Sequence, residues 1–494
     1  MKEKLLGYGA ARGNGLFART AMLAFAIGVS SLVAGCSGDD DDDDSPSAQL
    51  RVIHGSPDAP PVNIKVDGEV AISDLDYAES TGYVSVEALV PYDIAVEGII
   101  PGGNQDVITV DDFELAEGDR TTVIAVDPVA DIEPLVVSES AAEPAGDEVA
   151  LTVVHASPAA DGATATVDVY VTEPSTDIST VGPALSFAYK ESVDAGALAA
   201  GVVRIRATVG DTKTVVYDSG SVDLAPFAGQ QLMIVALDTT TPTTQAASPV
   251  KLLVATDSAE LVLLDTNTAS GARVVHASPD ADSVAGPVEV FATSSALPVS
   301  PTELIDAFAY TEVVPGADSH VAVPAGDYVF DVAPDTDTIG DSVYTSPSIT
   351  LDQGGEYTVV AAGRVANSPA FTLLATADNS RAVATQASVK VVHAAPAAGT
   401  VEVYVTGAGD FSVDDVENGL AGDPLLADFA FADITDYVPV APGDYDIRVV
   451  AGGVVAINIE GLNLAAGSVS TVVARGPNEP NGTPDDFNVI LLTN

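Results

Sequence analysis

The sequence predicts an all-β chain: four tandem antiparallel β-sandwich domains, immunoglobulin-like in outline, behind an N-terminal leader and an acidic tether. Three observations carry this. A motif recurs at Arg51-Val52-Ile53-His54-Gly55-Ser56-Pro57-Asp58, Leu151-Thr152-Val153-Val154-His155-Ala156-Ser157-Pro158, Arg273-Val274-Val275-His276-Ala277-Ser278-Pro279-Asp280 and Lys390-Val391-Val392-His393-Ala394-Ala395-Pro396. Its copies lie about 100 to 120 residues apart, the size of a small domain rather than a solenoid repeat. Between copies, short alternating apolar runs are punctuated by Gly and Pro, which is strand and turn chemistry. Finally, 47% of the chain is hydrophobic but only 5% aromatic, with no Trp. Cores of Val, Ile, Leu and Ala suit sheets. Small barrels are the alternative architecture.

Taken in order, Met1 to Arg19 carries Lys2, Lys4, Arg12 and Arg19 against Glu3 alone and runs into the apolar stretch Ala21 to Val33, the pattern of a secretory signal. It ends in Leu32-Val33-Ala34-Gly35-Cys36, which resembles the lipobox of bacterial lipoproteins. The resemblance implies a signal peptide over 1–35 and a diacylglycerol on the Cys36 thiol. An ordinary signal peptide with a chance cysteine, or an uncleaved span, is the competing account, although the apolar run is short for a membrane span. Ser37 after the cysteine implies export to the outer membrane. Asp39 to Asp44 are six consecutive aspartates that repel one another, so 36–48 is expected to be an extended tether. Cys36 is the chain's single cysteine, so no intrachain disulfide forms.

The first repeat, 49–146, has strand-like Val62 to Val66 with a turn at Asp67-Gly68, then Tyr83 to Ala88, Tyr92 to Val96, Thr121 to Val126 and Pro134 to Val137. Six or seven strands are expected, and no long amphipathic helix. Repeats two (147–268), three (269–385) and four (386–494) show the same landmarks. One turn recurs at Gly201, Gly326 and Gly443, where a hairpin glycine with positive φ is expected. A later one recurs at Gly229, Gly354 and Gly467, each leading into an apolar strand. The short linkers between repeats predict a semi-rigid rod.

The apolar strand ending in His-Ala-Ser-Pro-Asp-Ala, followed by a second strand such as Val62-Asn63-Ile64-Lys65-Val66, resembles the bacterial domain-of-unknown-function family 4397 over nearly all of 49–494. That family carries no established activity, so the resemblance implies a domain type and a cell-envelope setting and nothing catalytic.

The balance of 72 acidic against 18 basic residues gives a formal charge of −54, spread over all four repeats. Nucleic acid is excluded as a partner, because phosphate binding needs a basic face. The acidity reads either as solubility in a salty or extracellular medium, where ions screen the repulsion, or as several divalent-cation sites.

Five histidines occur in the chain, and His54, His155, His276 and His393 occupy the motif. As metal ligands or general bases they would be partnered by Asp58 or Asp280. Against this, Ala159 and Ala397 replace that aspartate in repeats two and four, and Ala395 replaces the serine. A metal needs several ligands at fixed distances. In the structural reading each ring bonds backbone in the turn, Ser56, Ser157 and Ser278 cap it locally, and Pro57, Pro158, Pro279 and Pro396 stop the ladder. His320 lies outside the motif and reads as an exposed loop residue. Asp335, Asp337 and Asp341, and Asp485 and Asp486, have calcium-loop composition without the EF-hand spacing. Tyr83, Tyr92, Tyr328, Tyr437 and Tyr445 form either a ligand platform or a packed sandwich edge.

No serine elbow, phosphate loop or His-Glu-x-x-His motif occurs in the mature chain. The expected function is a non-catalytic cell-envelope lipoprotein, held by its N-terminal lipid and presenting tandem sandwiches to a protein or glycan partner or acting as a spacer. The alternative is a ligand-binding protein for glycan, peptide or Ca²⁺; a hydrolase with an unrecognised site is the third reading. No other cofactor is expected.

Overall fold

The computed structural model describes residues 45–140, 142–336, 338–477 and 487–494; Cys36, the leader and the aspartate run lie outside them. In the first repeat, strands β1 (Ser47–His54), β2 (Val62–Val66), β3 (Glu69–Leu75), β4 (Val84–Glu87), β5 (Tyr92–Gly98), β6 (Gln105–Phe113), β7 (Arg120–Val126) and β8 (Glu133–Glu139) form two sheets. Their orders are β4-β1-β7-β8 and β3-β2-β5-β6. Val52 and Ala125 from the first sheet pack on Val62, Ile64, Leu75, Val96 and Ile108 from the second, so the core lies between two apolar faces. The sequence reading missed β3 and β6. Both are edge strands: β6 is more than half polar or acidic, and β3 is interrupted by Glu69, Ser73 and Asp74, so neither presents a clean apolar alternation.

The other three repeats keep the same two orders, the second with one added edge strand, Glu260–Leu263, and the third with two edge strands each split in two. The sandwich outline is immunoglobulin-like, but the strand order is not that of an immunoglobulin domain, in which the first two strands are neighbours in one sheet. Here β1 and β2 belong to different sheets, and β1 runs parallel to β7, with His54 opposite Ala125. That parallel pair recurs, setting His155 opposite Ala236, His276 opposite Ala361 and His393 opposite Ala474. All other strand pairs among the described residues are antiparallel.

The expected hairpin at Gly201, Gly326 and Gly443 is corrected. In repeats three and four this glycine is the first residue of a strand, and it follows a crossover from one sheet to the other rather than a hairpin. The recurrent positive φ belongs instead to the later turn, at Gly118, Gly229, Gly354 and Gly467, with φ of 78°, 80°, 73° and 78°.

The semi-rigid rod is also corrected. The repeats pack in pairs, sheet face against sheet face. Ile53, Ile124, Val126 and Val137 of repeat one share one core with Val154, Met233, Val235, Leu237 and Leu253 of repeat two. Val275 and Val360 of repeat three do the same with Val392, Val473 and Leu492 of repeat four. The β1–β7 sheet is therefore apolar on both faces, and each pair is four sheets deep. The whole of Ser45–Asn494 forms one compact unit.

Candidate functional site

The four motif histidines occupy equivalent places, and each is almost fully buried at the end of its strand. Nε2–H of His54 donates to the Pro60 carbonyl at 3.0 Å, and that of His393 to the Gly399 carbonyl at 2.9 Å. Nδ1 of His155, His276 and His393 faces the backbone N–H two residues on, at 3.4, 3.4 and 3.3 Å. This pattern assigns the neutral imidazole with its proton on Nε2. Burial lowers the pKa of all four, to about 4 for His54 and about 4 for His276.

The motif aspartates do not reach the histidines. Asp58 accepts from the Val129 backbone N–H at 2.7 Å; Asp280 accepts from those of Val365 at 2.7 Å and Ala366 at 3.1 Å. Each pins the loop after the β7-type strand. In repeat two, where Ala159 stands, Asp238 does related work, accepting from Ser157 Oγ and the Ala159 N–H. Of the three expected local serine caps, Ser157 is one, on the short helix Pro158–Ala163 that Pro158 opens; Ser278 Oγ instead donates to the distant Gly363 carbonyl, and the buried Ser56 Oγ meets no partner among the described residues.

A second recurrent segment, which sequence reading passed over, covers each histidine: Asp76-Tyr77-Ala78-Glu79, Ala188-Tyr189-Lys190-Glu191, Ala309-Tyr310-Thr311-Glu312 and Ala430-Phe431-Ala432-Asp433. Its third residue takes positive φ in every copy, 64°, 63°, 75° and 73°, and its N–H donates to the histidine carbonyl. Its carbonyl-bearing fourth residue accepts the histidine N–H. The acidic side chain of that fourth residue closes the turn, as when Glu191 accepts from the Ala188 N–H at 2.8 Å. The ring at the second position packs against the imidazole, with centroids 5.6 Å apart for His155 and Tyr189 and 6.0 Å for His276 and Tyr310. The repeated spacing of Tyr or Phe, one residue and an acid was the available signal.

The same tyrosines tie the paired repeats together. Tyr77 OH donates to the Asp238 carbonyl of repeat two at 2.7 Å, and Tyr189 OH donates to Asp127 Oδ1 of repeat one at 2.7 Å. Asp127 and Asp238 hold equivalent positions, so the contact is reciprocal, as in an isologous dimer. In the second pair, Tyr310 OH donates to the Gly476 carbonyl at 2.6 Å. Arg51 donates to Thr122 Oγ1, to Glu139 and across to the Thr256 carbonyl of repeat two. Arg273 repeats this with Thr358, Asp378 and the Thr493 carbonyl of repeat four. His320 is not an exposed loop residue: it is buried, with Nε2 at 2.9 Å from Asp378 and Nδ1 at 3.3 Å from Glu356. Burial works against the Asp378 carboxylate, but hydrogen bonds from His320 and Thr358 and the Arg273 charge hold its pKa below the usual value. Arg273→Ala is expected to cost about 3–5 kcal/mol, because it takes the guanidinium from a carboxylate with no exposed surface and leaves only the His320, Thr358 and Tyr437 contacts to hold it. The measurement is the urea midpoint at constant m value.

The tyrosine platform does not form. Tyr83 bonds Glu139 and Tyr437 bonds Asp378 and Thr471, both inside the pair interfaces, while Tyr328 and Tyr445 each donate to the carbonyl four residues earlier. Of the calcium candidates, Asp337, Asp485 and Asp486 lie outside the described residues. Asp341 accepts from Thr336 Oγ1 at 3.1 Å, and the Asp335 N–H donates to the Pro287 carbonyl. A different acidic group, Glu289, Glu303 and Asp306, brings three carboxylate oxygens within 4.8 Å of one another, on strands the sequence reading did not connect.

No curated protein matches the chain. Among solved structures it is similar to a "putative cell adhesion protein" from Bacteroides fragilis, at 10% identity over 42% of this chain and 83% of that one, with a TM-score of 0.12. It is also similar to two B repeat units of the collagen binding protein of Staphylococcus aureus, at 10% identity over 90% of this chain and 98% of that one, with a TM-score of 0.10. At such TM-scores neither likeness bears on fold or function. The model of the "Domain of unknown function (DUF4397)" matches residues 48–162 and 270–404. Each stretch spans the first repeat of a pair and enters the second, and together they exceed half of the chain, which therefore belongs to the DUF4397 family.

Proposed function

We propose that the chain is a non-catalytic lipoprotein of the cell envelope. In this reading a lipid on Cys36 anchors it to the outer membrane, the aspartate run is a spacer, and the two repeat pairs are a stiff body presented for binding or adhesion. The observation that carries the non-catalytic part is the fate of the recurrent histidines. All four are buried and held by backbone groups and aromatic rings, and the motif aspartates are spent on loop N–H groups rather than on the imidazoles. The anchoring part rests on Leu32-Val33-Ala34-Gly35-Cys36 and the basic, apolar leader before it. Several acyl chains on one cysteine hold a protein to a bilayer firmly, whereas a single chain does so only marginally.

Intact-mass analysis of the membrane fraction tests this. The expected species begins at Cys36 and carries diacylglycerol and an amide-linked acyl chain, and Cys36→Ser moves the protein to the soluble fraction. A soluble wild-type chain with no mass added at Cys36 would sink the anchored reading.

A further inference from the structure

A cleft of about 400 Å³ opens on the outer sheet of repeat two, where the connection to repeat three crosses it. Its walls hold Arg204 and Arg206 of one strand, Asp218 of the next, and Asp265 and Asn267 of the connection. Two arginines on one face of a strand stand out in a chain with so few basic residues. Most of the charges are already answered within the wall. Arg204 grips Asp218 with Nε and Nη2, Asp265 accepts from the Asp218 N–H at 2.8 Å, and Asn267 Nδ2 donates to Asp265 at 3.1 Å. Arg206 is the exception. Its Nη2 donates to Thr172 Oγ1 at 2.7 Å and to the Thr176 carbonyl at 2.8 Å, but its buried Nε–H meets no acceptor among the described residues.

We propose that this cleft binds a neutral polyhydroxylated ligand, a sugar residue of a glycan. The inference rests on the reading of the chain as a presented binding body and names its ligand class. An unanswered buried N–H favours a ligand that brings an oxygen acceptor. An anion is disfavoured, because three aspartates outnumber two arginines in the lining and the surrounding chain is strongly acidic. A cation is disfavoured because the oxygens of Asp218 and Asp265 are already held by N–H donors. A hydroxyl both donates and accepts, so it suits a wall of guanidinium, amide and partly used carboxylate groups. Ile178 and Val215 supply apolar surface for the C–H face of a sugar ring. The volume lies in the range of small-molecule sites.

The test uses the full lipidated chain in dimethylamine-oxide micelles, which contain no sugar. Saturation-transfer NMR and calorimetry are run with glucose, galactose, mannose, N-acetylglucosamine and cellobiose, and with glucuronate and phosphate as charged controls. At least one neutral probe is expected to saturate. Val215→Trp, which fills the cleft from an exposed position, and Arg206→Lys, which removes the Nε–H and keeps the charge, are each expected to weaken it at least tenfold. Three outcomes overturn the proposal: no neutral probe saturates, both variants leave binding intact, or glucuronate or phosphate binds more tightly than every neutral sugar. None of them touches the mass at Cys36, so failure of the cleft and failure of the anchored reading are separately visible.

Discussion

Residues 45–268 produced alone are expected to melt in one cooperative transition, and residues 45–140 alone are expected not to fold stably. Ile53, Ile124, Val126 and Val137 of repeat one are almost fully buried, and their neighbours across the pair come from repeat two. Removing repeat two returns those four side chains to water at roughly 1.5–3 kcal/mol each, on the order of 6–12 kcal/mol together. That is comparable to the whole stability of a small domain. Polar losses add to it. Arg51 loses the Thr256 carbonyl, Tyr77 loses the Asp238 carbonyl and the Lys251 ammonium 4.3 Å from its ring, and Arg120 loses Asp257. Differential calorimetry of both fragments decides the matter. A reversible melt of 45–140 within a few degrees of the pair would show that each sandwich is self-sufficient and that the shared core contributes little.

That pairing was written in the sequence, in a form that single-domain reasoning does not read. A strand with one face to solvent alternates, as β2 does, whereas one buried on both faces is a continuous apolar run. Leu232-Met233-Ile234-Val235 and Val472-Val473 are such runs. They were legible as strands, and their unbroken hydrophobicity already implied a second layer beyond the sandwich. The alternation of Asp58 and Asp280 with Ala159 and Ala397 counts against a catalytic or metal-binding motif, but it is not random loss. It reflects instead a repeat of pairs, with the first member of each carrying the aspartate and the arginine at 51 or 273. The number of repeats, their strand-rich character and the family were recoverable because those signals are local. His320 was misplaced because its partners, Asp378 and Glu356, lie on strands distant in sequence. The cleft of repeat two was invisible for the same reason: its walls come from strands and a connection separated by dozens of residues.

Between pH 7 and pH 4 the protein is expected to lose stability steeply, and the histidines set the sign. A base whose pKa is lower in the folded than in the unfolded state binds fewer protons when folded. Its contribution is fully present above the unfolded pKa of about 6.5 and is lost as pH falls toward the folded value. For His54 and His276, with folded values of about 4, the loss at pH 4 is about 3 kcal/mol each. His155 and His393 are lowered as well and add losses of the same sign. Asp378, also lowered, adds its loss only below about pH 4, where the carboxylate of the unfolded chain takes up its proton. Opposing this, protonation relieves the burial that raises Asp238, and it reduces repulsion among the surface carboxylates, which high salt screens. Urea unfolding in 1 M sodium chloride at pH 7, 6, 5 and 4 isolates the buried groups. His276→Asn should be less stable at pH 7 yet lose about 3 kcal/mol less than wild type on acidification. If the wild-type profile is flat from pH 7 to 4, these imidazoles are not the neutral, buried groups their hydrogen bonds describe.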